Sequence, residues 1–285
     1  TTGTLCEACR RGMAALVLAL SAISLLERAT LAAKCCSLAF VPPAAMANEP
    51  YYEGLRVCAQ VEEPGQSGAT ILQAEATGEV IIACRGSASF KNFRTNLDIG
   101  PVPLAVGRAV PPAARVHKGF QRASQHLWEL VRRELPESDK PILLTGHSLG
   151  GGTATMLALH LAAAGRPAEL ITVAGPRLGN AAFAAHVRDM CLPAYHLIHD
   201  DDEVIKSNQK LWDDLGFEHV GTVVPCDQHT PCIYLNDEEK CLALAEGIDP
   251  SKISMKGVLV DHCQYLGLYV GCRLEYPSVW LRSPF

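Results

Sequence analysis

Ser148 stands in Gly146-His147-Ser148-Leu149-Gly150, a GxSxG pattern. It directly follows the apolar run Ile142-Leu-Leu-Thr145 and directly precedes an Ala- and Leu-rich stretch. A serine hydroxyl is a weak nucleophile at neutral pH. It needs a base to take its proton and a third group to orient that base. A sharp strand-to-helix turn suits such a serine, because glycines two residues before and after leave room for strained backbone and the hydroxyl is presented outward. The start of the following helix aims unpaired N–H groups and a positive dipole end at an oxyanion formed on attack. The other reading is an inert serine in a glycine-rich turn. The ten histidines supply candidate bases, among them His147, His219, His229 and His262. His147 is set aside because adjacent residues on this turn point different ways. Asp200, Asp201, Asp202 and Glu203 form an acidic cluster at the end of an apolar run; it suits a catalytic acid, a solvated face or a cation such as calcium.

These residues need a frame that holds them together. From about residue 56 onward, short β-rich runs alternate with helical patterns, which predicts an α/β fold with a mainly parallel central sheet flanked by helices. The spacing predicts strands over Glu79–Cys84, Ile142–Thr145, Leu170–Ala174 and Tyr195–His199, and helices over Phe120–Glu134, Gly150–Ala164 and Ala181–Met190. Right-handed crossovers then collect the carboxyl ends of the strands along one edge. Residues 100 to 114 read as a long connecting loop, residues 212 to 260 as an irregular excursion, and Asp261–Val270 as a last helix.

A chain of 285 residues can bury one sizeable core, so the prediction is a single catalytic domain over 51–285 with an N-terminal extension over 1–50. Arg10 and Arg11 precede an apolar stretch from Met13 to Leu26. The stretch is either signal-like or a helix packed on the catalytic domain, and it is too short to span a bilayer. The formal net charge of -5, with no basic stripe, argues against nucleic acid as a partner. The chain has 12 cysteines but no paired CxxC sets of the structural-zinc kind, and Cys6 and Cys9 form a lone CxxC. The spacing of Cys232 and Cys241 permits a disulfide, and Cys272 is a further candidate to pair with Cys35 or Cys36.

In order along the chain, Arg85 to Phe93 (RGSASFKNF), Val116 to Phe120 (VHKGF), Thr145 to Gly151 (TGHSLGG), Ala174 to Asn180 (AGPRLGN), Gly216 to Gly221 (GFEHVG) and Asp261 to Tyr265 (DHCQY) resemble the motifs of the class 3 lipase family. The resemblance covers roughly residues 80 to 270. It implies an α/β-hydrolase fold in which Ser148 is the nucleophile, His262 the base and Asp202, within Asp202-Glu203-Val204, the acid. Ser, Asp, His is also the chain order expected of α/β hydrolases. Ser87 would supply one oxyanion donor and the N–H of Leu149 the other, since one donor generally comes from the residue after the nucleophile. The family usually has proline after its DxV, where this chain has Ile205, so the acid loop is expected to differ in shape and Asp201 stays open as the alternative acid.

After Ser87, Phe90, Phe93 and Leu97 fall at i, i+3 and i+7, a short amphipathic helix. The resemblance makes it a lid that opens at a lipid surface; the other reading is a helix permanently packed on the core. The function implied is a serine carboxylic-ester hydrolase acting on acylglycerols, working at a lipid–water interface or membrane surface, with no metal or organic cofactor. A secreted or membrane-associated site is implied, with a cytoplasmic one as the alternative. Phospholipase A1, feruloyl-type esterase and a catalytically inactive lipid-binding relative are the alternative functions, and the sequence leaves the oligomeric state open.

Overall fold

The computed structural model describes residues 25–49, 51–62, 67–86, 100–107, 109–227, 232–234, 241–243 and 259–271. The chain opens with helix α1 (Leu25–Leu38) and the short α2 (Pro43–Met46), followed by strands β1 (Leu55–Glu62), β2 (Gly68–Ala74) and β3 (Val80–Arg85). Strands β4 (Pro101–Pro103) and β5 (Arg115–His117) lead to α3 (Lys118–Glu134), β6 (Ile142–His147), α4 (Leu149–Ala163) and β7 (Ala168–Val173). Next come β8 (Gly179–Asn180), α5 (Ala181–Asp189), β9 (Ala194–Ile198), α6 (Glu203–Asp214), β10 (Phe217–Glu218) and β11 (Thr222–Pro225). The described chain ends with β12 (Cys232–Tyr234), β13 (Cys241–Ala243), α7 (Leu259–Cys263) and the strands β14 (Gln264–Tyr265) and β15 (Leu268–Tyr269).

The central sheet runs β1-β2-β3-β6-β7-β9-β11. Strands β3, β6, β7, β9 and β11 are parallel, and β1 and β2 extend one edge antiparallel. The parallel strands are buried on both faces, so they read as continuous apolar runs rather than as alternation. Their side chains still divide by parity. Ile81, Leu143 and Ile171 enter the core on one face, and Ile82, Leu144 and Leu170 the core on the other. The first core is closed by α1 through Leu26, Ala29, Ala33 and Cys36. The second is closed by α3, through Phe120, Leu127 and Val131, and by α4, which is apolar nearly all round because it lies between α3 and the sheet.

Several expectations need correction. The last helix does not run over Asp261–Val270; it is the five-residue α7, and the chain then turns back through the β14–β15 hairpin, with Leu266 and Gly267 at φ 55° and 69° in the turn. Residues 100 to 114 are not all loop, because Pro101–Pro103 pairs with Arg115–His117. Cys35 and Cys36 are free, buried thiols and not disulfide partners of Cys272; the Cys36 Sγ lies 3.1 Å from the Thr145 hydroxyl. Cys232 and Cys241 lie on the paired strands β12 and β13, with Cys232 opposite Ala243 and Cys241 opposite Tyr234 in the backbone register, and their proposed disulfide falls on side chains outside those described. Cys191 is disulfide-bonded. The CxxC of Cys6 and Cys9, the apolar stretch up to Ser24, and Cys272 lie outside the described residues.

One buried ion pair ties α1 to the sheet. Arg28, 8% exposed, donates from Nε to Glu169 Oε2 at 3.1 Å and from Nη1 to Glu79 Oε2 at 2.8 Å. Glu169 is 2% exposed, and burial raises its pKa in spite of the guanidinium beside it. Removing the arginine strands that carboxylate in the core. We predict that Arg28→Ala lowers unfolding free energy by about 3–5 kcal/mol, the usual result of deleting one partner of a buried pair. Urea titration checks this, and an unchanged midpoint would show that α1 is not held this way.

Candidate active site

Ser148 sits between the end of β6 and the start of α4, with φ 56° and ψ -122°. That backbone region is costly for a residue with a Cβ, and the surroundings enforce it. The Ser148 N–H donates to Val173 O of the neighbouring strand at 2.9 Å, and Ser148 O accepts from Gly151 N at 2.9 Å. The two glycines of the motif are sterically required. A Cβ on Gly146 would lie 2.2 Å from Gly150 O, and a Cβ on Gly150 would lie 2.2 Å from Cys84 O on β3. The turn is therefore locked between two strands, and the hydroxyl-bearing residue remains only half-buried.

Asp202 follows β9 and is the N-cap of α6. Its Oδ1 accepts from Val204 N at 3.0 Å and from Ile205 N at 3.1 Å. A proline at position 205, where the family pattern places one, would have no N–H to give. Ile205 supplies that donor, so the departure from the family pattern becomes a helix cap. Asp202 is fully buried, whereas Asp200 and Asp201 are exposed. The Asp202 carboxylate also lies 2.9 Å from His262 Nδ1 and accepts from the Tyr265 hydroxyl at 2.6 Å. Burial alone would push its pKa up. The hydrogen bonds from His262, Tyr265 and Ile205 N outweigh burial and hold it below the usual aspartate range. Tyr265 is driven the other way, well above the ordinary phenol, by burial first and then by the Asp202 charge.

His262, on α7, is buried, and it opens with Ser148 on one cavity. Ala174, Pro176 and, from α6, Val204, Ile205, Asn208 and Trp212 form its walls. The other histidines are placed elsewhere. His147 is buried with its ring centroid 4.6 Å from that of His262; His219 lies tilted against His196, with ring centroids 4.7 Å apart; His229 lies outside the described residues. Ser87 and the lid candidates Phe90, Phe93 and Leu97 also lie outside them. Leu149 is the first residue of α4, where helix geometry leaves the N–H without an intrahelical acceptor. Among the described residues no cluster of His, Cys, Asp and Glu is placed to hold a metal ion.

Residues 81–210 match the family model described as Lipase (class 3). The likeness to this family thus covers a little under half of the chain. The secreted mono- and diacylglycerol lipase 1 of Fusarium solani is 33% identical over 148 residues, which are 48% of this chain and 41% of that protein. The lipase of Rhizomucor miehei is 28% identical over 219 residues, 72% of this chain and 56% of its own. The chloroplastic phospholipase A(1) DAD1 of Arabidopsis thaliana is 27% identical over 186 residues, 58% of this chain and 40% of its own. The chain thus spans about half the length of the curated relatives it matches. Among solved structures, a triacylglycerol lipase whose catalytic centre is described as a serine protease triad superposes with TM-score 0.64 at 22% identity, covering 87% of this chain and 97% of that one. Lipase II from Rhizopus niveus gives TM-score 0.63 at 18% identity, covering 87% and 96%. These likenesses are in fold, which is the α/β-hydrolase fold.

Residues beyond the GxSxG pattern carry weight that the pattern did not reveal. Tyr265 sits three residues after His262 and gives Asp202 a donor; its spacing was visible in DHCQY but not its direction. Asn208 and Trp212 line the cavity because α6 starts directly after its N-cap Asp202, and the sequence had suggested no helix there.

Two buried histidines make the fold acid-sensitive. Burial, and then the neighbouring His262, lower the His147 pKa from the ordinary 6.5 to about 3. Burial lowers His196 to about 4, against a hydrogen bond to Val220 O. Both are neutral in the fold but take a proton in the unfolded chain below pH 6.5. Stability is therefore complete above that pH and falls as pH drops toward the folded values, by up to about 1.4 kcal/mol per pH unit for each group. Urea midpoints measured from pH 7.5 to 5 should decline, and His196→Gln should flatten the decline. A flat profile in the parent protein would contradict buried neutral rings.

Proposed function

We propose that the chain is a serine carboxylic-ester hydrolase acting on acylglycerol lipids through an acyl-enzyme on Ser148. The observation that carries this reading is that Ser148 and His262 face one cavity while the Asp202 carboxylate sits 2.9 Å from His262 Nδ1. Neutral His262 donates from Nδ1 to Asp202, which leaves Nε2 as the acceptor for the serine proton. Ser148 Oγ attacks the ester carbonyl as His262 takes its proton, and the alcohol leaves with that proton. Water then hydrolyses the acyl-enzyme by the same exchange. Asp202 fixes the tautomer and stabilises the imidazolium. Its depressed pKa keeps it ionised at neutral pH.

The Leu149 N–H is proposed as one oxyanion donor and Ser87 as the other. Phe90, Phe93 and Leu97 are proposed as the apolar face of a lid. The choice of acylglycerols is supported by the apolar wall that α6 presents beside Ser148 and by the named activity of the fungal relatives. A secreted or interfacial setting is supported by the description of the Fusarium solani relative. Among the described residues, no helix is long and apolar enough to cross a membrane.

The test compares wild type with Ser148→Ala and Asp202→Asn on a soluble p-nitrophenyl ester, on emulsified mono-, di- and triacylglycerols, and on phosphatidylcholine. We expect kcat to fall by about 10⁴-fold or more in either variant, as in other serine–histidine–aspartate sites. Acylglycerol turnover should rise when the emulsion forms. Preferred cleavage of the phospholipid would move the substrate assignment to phospholipase A1. Ester hydrolysis that survives Ser148→Ala would sink the mechanism.

A further inference from the structure

The short helix that carries His262 is held by two other buried histidines. α7 has only five residues, Leu259–Cys263, so the carbonyls of its last turn have no partner within the helix. Each of the last three is met from outside. Cys263 O accepts from Val270 N at 2.9 Å. His262 O lies 2.6 Å from His147 Nε2, and Asp261 O lies 2.6 Å from His199 Nε2. A carbonyl only accepts, so both rings carry their proton on Nε2 and donate it.

The two donors come from opposite sides. His147 ends β6 and His199 follows β9, the strands on either side of β7, so two sheet positions converge on one turn of helix. Neither contact has an aqueous substitute, since His147 is 1% and His199 is 4% exposed. Each ring is itself fixed. A Cβ on Gly271 would lie 2.2 Å from His147 Nδ1, so the hairpin leaving α7 closes directly on that ring edge. His199 packs on Tyr265, with centroids 4.4 Å apart, and the Tyr265 hydroxyl binds Asp202.

We propose that His147 and His199 are positioning residues, whose Nε2–H groups cap the two orphan carbonyls of α7 and thereby set the His262 imidazole between Asp202 and Ser148. They touch no reacting atom. The proposal rests on the hydrolase reading for what His262 does, but not for where it is held. Side-chain direction from a short, marginal helix follows its backbone, and an error of about 1 Å in placing a catalytic group costs on the order of 100-fold in turnover.

The test uses four single variants of the full chain: His147→Leu, His199→Leu, His147→Gln and His199→Gln. Glutamine extends an N–H donor to about the same place, whereas leucine fills the space without one. The first readout is kcat and KM on a soluble p-nitrophenyl ester. The second is the deshielded proton resonance of His262 Nδ1–H, which depends on its contact with Asp202 and not on turnover. Both leucine variants should lose about 100-fold in kcat with KM little changed, and should lose or broaden that resonance. The glutamine variants should recover kcat to within about fivefold of wild type and restore the resonance. His199 is remote from the serine turn, so its pair reports on the cap even if His147→Leu disturbs Ser148. Leucine variants with wild-type kcat and resonance overturn the proposal, and so do glutamine variants as impaired as their leucine counterparts. A wild type that hydrolyses no ester defeats the hydrolase reading instead, and the resonance then decides the positioning claim by itself.

Discussion

The Asp202 carboxylate is a full negative charge with no exposed surface, and the protein around it is arranged to make that tolerable. An ionised carboxylate buried without partners would cost several kcal/mol and would take up a proton instead. Four donors prevent this: the N–H groups of Val204 and Ile205, His262 Nδ1 and the Tyr265 hydroxyl. They come from two separate parts of the chain. The first two belong to α6, which starts where it does because Asp202 caps it. The last two belong to α7 and the hairpin after it, about sixty residues later in sequence. Satisfying the charge therefore joins the end of β9 to the C-terminal segment, and it brings His262 to the cavity that Ser148 lines.

Ser148 depends on the opposite kind of constraint, a strained backbone rather than a buried charge. Its positive φ persists because β7 accepts its N–H, β3 leaves no room for a side chain at Gly150 and the first turn of α4 leaves none at Gly146. The parallel sheet supplies rigidity, with side chains of β3, β6 and β7 dividing by parity between cores on its two faces. Both devices meet at the carboxyl ends of the parallel strands. His147 and His199 extend the same logic, since each stands at such an end and each donates to α7.

How much of this was legible in the sequence depended on whether the signal was local. The buried strands β3, β6, β7 and β9 were visible as apolar runs, and their observed bounds lie within about two residues of those expected. The serine turn was visible because its requirement for glycine is written within five residues. The antiparallel pair β1–β2 gave a weaker signal, since β1 is only partly buried along most of its length. The acidic cluster could not be resolved to one residue from its pattern. What separates Asp202 from Asp201 is burial and a helix cap, and the cap depends on the N–H of Ile205, which the family pattern had cast only as a missing proline. The end of the chain misled because Asp261 to Val270 is apolar enough to read as a helix, whereas Leu266 and Gly267 turn it into a hairpin. The histidine caps were invisible for a related reason, as each pairs residues 62 or 115 positions apart.

The most direct measurement of the central claim is covalent labelling with an alkyl p-nitrophenyl phosphonate, followed by peptide mass mapping. An unactivated serine hydroxyl reacts with such a phosphonate too slowly to be labelled, so the adduct reports an activated nucleophile without any assumption about the natural lipid. One adduct per chain is expected, on the peptide containing Ser148, formed by folded wild type and lost in urea. An adduct confined to another residue, or no adduct on folded protein, would contradict it.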